Sequence, residues 1–111
     1  MFKISKNPTF AHDVEIHVPV DGGFEEHKLR TRFRVVPLSD LSADDSKLDS
    51  NEARTAWVRK IVEGFEDLVN EEGKSITCTD AIKNSLLDTV YVREAVIMAF
   101  YDAMSGAKRK N

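Results

Sequence analysis

A single cysteine in 111 residues excludes an internal disulfide, and with it any zinc site built from several thiolates. Cys78 suits a reducing compartment. Long apolar runs are missing too. The longest uninterrupted one, Ala95 to Tyr101, falls far short of the roughly 20 residues of a membrane helix. The opening MFKISKNPTF lacks the apolar stretch of a secretory leader. The chain is therefore expected to be intracellular and soluble, with no membrane partner. Charge has little bias: 16 basic against 19 acidic residues give a net charge of -3. General nucleic-acid binding needs a basic surface that displaces counterions, so nucleic acid is not an expected partner. Only five glycines are present, and none forms a phosphate-cradling loop.

What is present describes one modest domain. Apolar residues make up 41% of the chain and charged residues 32%. From Phe10 the chain alternates. Phe10, His12, Val14, Ile16, Val18 and Val20 share one face, and Asp13, Glu15 and His17 the other. This period of two predicts a half-buried strand. Asp21-Gly22-Gly23 is a turn signal, and a second alternation follows with Leu29, Thr31, Phe33 and Val35 inward and Arg30, Arg32 and Arg34 outward. A two-residue Gly22-Gly23 turn would set Ile16 against Leu29, Val14 against Thr31 and His12 against Phe33. It would also pair Glu15 with Arg30 and Asp13 with Arg32. A longer loop of the same parity keeps the same faces. Phe2 and Ile4 alternate as well and are candidates for a short third strand. The arginine face reads as solvated and neutralised by acids, because no aromatic residues interleave with it as in a single-strand binder.

Pro37 to Ser50 is polar, acidic and expected to be a loop with one short turn around Leu38 to Leu41. It lacks the spacing of a calcium loop. Asp49 to Gly73 carries apolar residues at gaps of three and four, from Ala53 through Trp57, Ile61 and Phe65 to Val69, which predicts a long central helix. Asp49 with Glu52 would cap its start and Gly73 its end. Its acidic residues from Glu63 to Glu72 read as a solvated face. A short helix through Asp80 to Leu87, capped by Thr77 or Thr79, and a last helix from about Val90 to Ser105 complete the pattern. The last helix is apolar around more than half its girth, with Arg93, Glu94 and Asp102 as a narrow polar side. These elements predict an α+β fold. An N-terminal antiparallel β-hairpin, with a third strand as an option, packs on a C-terminal bundle of about three helices. The single domain spans 1–111, with a hairpin region over 1–37, an acidic loop over 38–50, a helical region over 51–105 and a basic tail over 106–111.

No catalytic constellation emerges. His12, His17 and His27 share neither a helix face nor metal-ligand spacing, and a lone Cys78 between two threonines reads as a loop or cap residue. No catalytic residue, cofactor or metal ligand is expected. The candidate partner-binding residues are Trp57, Phe65, Val92, Val96, Phe100 and Met104, an apolar set expected to form the core and border an interaction surface. Met98 and Met104 suit an adaptable surface.

Several segments taken in order carry a family likeness: FKISKNPTF before the DGG hairpin, the FRVVP exit from the second strand, WVRKIVEGFEDLVNEEGK, YVREAV and the closing GAKRKN. This order resembles the small tail assembly chaperones of long-tailed phages and prophages, the group that precedes the tape-measure protein in many siphophages. The resemblance spans nearly the whole chain. It implies a non-enzymatic protein of the host bacterial cytoplasm, absent from the mature virion. Such a protein would coat the tape-measure protein and help recruit the tail-tube protein. Homo-oligomers are expected as well, because many copies must coat one long client. The resemblance further implies the shorter of two frameshift-related forms. Two alternatives remain open: a structural tail or connector protein of the particle, and a small nucleic-acid-binding regulator using the arginine strand and the basic tail.

Overall fold

A computed structural model describes residues 1–41 and 50–106. The chain runs β1 (Thr9–Val20), β2 (Gly23–Arg34), α1 (Leu38–Leu41), α2 (Asn51–Ile61), β3 (Val62–Glu66), β4 (Leu68–Val69), β5 (Ser75–Ile76), α3 (Asp80–Leu87) and α4 (Val90–Met104). The fold is α+β. An antiparallel sheet ordered β1-β2-β3 carries α2, α3 and α4 on one face, and β4-β5 forms a separate small hairpin.

The β1–β2 hairpin forms as its alternation predicts, with the register moved by two residues. Val20 pairs with Gly23, so Asp21-Gly22 makes the turn. Gly22 alone of the two has a positive φ, +78°, which glycine adopts without a Cβ clash. Val14 faces Leu29, His12 faces Thr31 and Phe10 faces Phe33. A shift of two preserves both faces, so Val14, Ile16, Thr31 and Phe33 are all buried. Outside, Asp13 opposes Arg30 and Glu15 opposes Lys28, still with opposite signs.

The long central helix ends early. α2 stops at Ile61, and the backbone passes directly into β3, an extended strand on the free edge of β2. Three physical reasons favour the strand. Helical Gly64 would cost about 1 kcal/mol against alanine. Val62 and Phe65 are β-branched and aromatic and fit a pleated surface. The edge of β2 also offers backbone groups that need partners. The helical spacing misled because the strand is bulged. Arg32 pairs with Gly64 and Phe33 with Val62, leaving Glu63 as an extra residue. The bulge lets Val62 and Phe65, three apart, both turn inward. The third strand is thus β3. Residues 1–7 are in no strand, and Phe2 and Ile4 are exposed.

Gly73, with φ +80°, belongs to the β4–β5 turn and is no helix cap. There the Asn70 side chain accepts from the N–H groups of Glu72 and Lys74 at 2.9 and 3.0 Å. The N-cap of α2 is Ser50, whose Oγ accepts from Ala53 N–H at 3.0 Å; Asp49, the expected cap, lies outside the described residues. Ser50→Ala should lower stability by about 1 kcal/mol, measured as a shift of the urea midpoint. α1, α3 and α4 form where expected. Thr79 caps α3 by accepting from Ile82 N–H at 3.2 Å. Thr89 precedes α4 but donates its hydroxyl to Ser85 C=O instead of capping. The acidic loop beyond Leu41 and the basic tail from 107 lie outside the described residues.

The core lies between sheet and helices. Phe33 and Phe100 meet at its centre, with ring centroids 5.6 Å apart and both side chains fully buried. Val58 and Ile61 of α2, Leu87 of α3 and Val96 of α4 close around them.

Candidate functional site

The residues expected to border a partner divide between core and rim. Phe65, Val92, Val96 and Phe100 are buried. Trp57 and Met104 are half-buried and pack against that core. The set therefore comes together, but mostly beneath the surface. The buried stripe Val92, Val96 and Phe100 repeats every four residues and faces inward, so 100° per residue turns Tyr91 and Met98 outward. These two, with Val90, are the apolar residues that α4 exposes most: 63% for Val90, 58% for Met98 and 40% for Tyr91. Sequence periodicity missed them as site residues because α4 is apolar around most of its girth. A rule that assigns its face needs to know which side the sheet takes.

Trp57 adds a polar handle beside this helix. Its ring meets Phe100 edge-on at 6.2 Å and stacks on Tyr101 at 6.5 Å, with Lys60 Nζ 5.9 Å from its centroid. Its Nε1–H is buried, with no acceptor among the described residues. A buried unpaired donor is costly, at about 1–3 kcal/mol, and that cost falls on the folded chain itself.

The expected polar side of α4 is instead its seam with α2. Arg93 is only 7% exposed. Its guanidinium donates to Glu94 at 2.9 Å, to Asn51 Oδ1 at 3.2 Å and to Thr55 Oγ1 at 3.4 Å. Arg54 closes the network with two bonds to Glu94. Burial opposes ionisation of Glu94, yet the bonds from Arg54 and Arg93 hold its carboxyl below the usual range. A cavity of about 420 Å³ opens beside this seam, lined by Asn51, Glu52, Arg59, Asp88 and Arg93 among others. Its charges are mixed, so it favours neither anion nor cation.

The arginine strand is neutralised in part by an acid from another strand, Glu66 of β3. Arg30 reaches Asp13 at 3.3 Å and Glu66 at 3.6 Å, and Arg32 reaches Glu66 at 2.6 Å. The hydrogen bond from Arg32 holds the Glu66 carboxyl below its ordinary value. Arg34 donates to Lys60 C=O at 3.4 Å. Glu66 was not foreseeable as a partner while its segment read as helix.

The three histidines lie on the hairpin, and Cys78 lies before α3, where its Sγ is 3.7 Å from Thr79 C=O. Among the described residues, the donor atoms of Glu15, His17 and Glu26 lie within 4.8 Å of one another. These three could hold a divalent cation, and all are exposed. Glu26 joins them only through the register that places it opposite His17. Among the described residues no helix is long and apolar enough to cross a membrane. No protein-family model, curated protein or solved structure matches the chain.

Proposed function

We propose that this chain is a tail assembly chaperone of a long-tailed phage or prophage. In this reading it is non-catalytic. It binds helical segments of the tape-measure protein and helps recruit the tail-tube protein during assembly in the host cytoplasm, without entering the mature particle. The family likeness rests on the ordered sequence segments. The structural observation that supports it is the outward side of α4, where Val90, Tyr91 and Met98 stand exposed on a small charged domain. Exposed apolar side chains along one side of a helix, with Glu94 between Val90 and Met98, suit an amphipathic client helix, whose own apolar face they would shield from water.

Co-expression with a tape-measure fragment tests this directly. The expected result is capture of the fragment and a gain in its soluble fraction. Tyr91→Glu/Met98→Glu should abolish capture while stability changes by no more than about 0.5 kcal/mol per site, since both side chains are exposed. No complex with the unmodified chain would overturn the reading. A structural tail or connector protein is the alternative, and mass spectrometry of purified particles separates the two, since a chaperone should be absent. The regulator alternative is weakened by Arg30 and Arg32, whose charges are already met by Asp13 and Glu66.

A further inference from the structure

β1 is a twelve-residue edge strand, and among the described residues no strand pairs with its outer side. An open edge of this length presents a row of unpaired backbone donors and acceptors. We propose that two copies of this chain pair through their β1 edges, antiparallel about a two-fold axis at Ile16, joining the two three-stranded sheets into one.

The direction of the backbone groups follows from the turn. Val20 and Gly23 close a two-residue hairpin, so they exchange their N–H and C=O groups with each other. Alternation turns the groups of Val14, Ile16 and Val18 toward β2. Those of Asp13, Glu15, His17 and Pro19 then point to the free side. Pro19 occupies one of these outward positions, where its C=O can accept from a partner strand although it has no N–H to donate.

Pairing must match outward residues with outward residues, which also keeps both apolar faces on one side. Centring the axis on Val14 sets Asp13 against Glu15 of the other copy. Centring it on Glu15 sets two carboxylates face to face. Centring it on Ile16 sets Glu15 against His17 twice, Val14 against Val18 twice and Ile16 against itself. Apolar residues then meet apolar residues, and each Glu15 carboxylate faces an imidazole instead of another carboxylate. α4 lies over β1, so its two copies become neighbours across the axis. It meets α2 through Arg93, Glu94 and Tyr101, and helical geometry puts Ala95 and Ala99 on the opposite side, small enough for close approach. The pairing closes on itself. The other sheet edge, β3, is five residues long, bulged at Glu63, and is followed by Asp67 in a left-handed conformation with φ 57°. It is a poor edge for further strands.

The inference names a surface for the self-association within the chaperone reading, and its failure leaves the client-capture result untouched. Sedimentation of the full chain should give twice its 12.5 kDa mass at high concentration. In that dimer the amides of Asp13, Glu15 and His17 should exchange slowly with solvent and speed up on dilution, while those of Val14 and Ile16 stay protected throughout. Glu15→Pro should weaken self-association about tenfold or more, because it deletes the same donor from both copies. A monomer at every concentration overturns the proposal, as does a dimer whose three outward amides exchange freely. A folded Glu15→Pro chain that dimerises unchanged does the same. If that variant does not fold, the exchange pattern of the unmodified chain decides alone.

Discussion

Phe100→Ala should cost about 3–5 kcal/mol of folding stability, read as a lower urea midpoint at an unchanged slope. The side chain is fully buried, and it touches all the layers of the fold. Its ring lies 5.6 Å from Phe33 of the sheet, 6.2 Å from Trp57 of α2 and 5.9 Å from Tyr101 of its own helix. Truncation removes the transfer free energy of a whole ring and leaves a hole that strands and helices cannot both move to fill. A domain of this size commonly has only about 5–15 kcal/mol in total, so the variant would fold marginally. Met98→Ala on the same helix is the control. That side chain is 58% exposed, and its loss should change stability by no more than about 0.5 kcal/mol. Equal effects at the two positions would mean that α4 presents a different face to the sheet.

The elements that could be read from the sequence are those whose partners are close in the chain. The hairpin is set by alternation on both sides of one turn, and parity alone decides which residues are buried. The exact register was not legible, because Asp21-Gly22 and Gly22-Gly23 are both acceptable turns and differ by two residues in pairing. α3 carries its own cap at Thr79, and Asp88-Thr89 breaks the chain before α4. The segment after Ile61 is different. Its fate depends on β2, some thirty residues earlier, whose free edge competes with helical hydrogen bonds for the same backbone groups. A bulge at Glu63 then gives a strand the apolar spacing of a helix. Gly64 was the one local sign against helix.

The candidate site was legible as a set of residues and not as a surface. Val92, Val96 and Phe100 identify a helix face, but the sequence does not say whether that face meets the sheet or a partner. The burial of Arg93 shows the same limit in reverse. An arginine beside a glutamate on an apolar helix looks like a solvated strip. Here it is the point where α2 crosses, because Asn51, Arg54 and Thr55 on α2 supply acceptors and charge that only the folded chain brings within reach.

That network yields the second large effect. Glu94→Ala should destabilise the protein by about 2–3 kcal/mol, between the roughly 0–1 of an exposed pair and the 3–5 of a buried one. The carboxylate itself is 41% exposed, which moderates the loss, but the Arg93 side chain it neutralises is only 9% exposed. Without Glu94 that guanidinium keeps only its bonds to Asn51 and Thr55, and a buried charge loses its counter-ion. Arg93→Met should cost less than Glu94→Ala, because it removes the buried charge together with its partner's role, and Arg54 still holds the carboxylate. The pH dependence follows from the depressed carboxyl. Glu94 titrates lower in the folded chain than its ordinary value of 4.5, because bonds from Arg54 and Arg93 outweigh burial. Its stabilisation is therefore complete above pH 4.5 and is lost as pH falls through the lower folded-state value. The difference in stability between the unmodified chain and Glu94→Gln should be constant near neutrality and shrink on acidification below that point. A difference that stays flat to the acid limit, or grows, would mean that the arginines do not favour the charged form of Glu94.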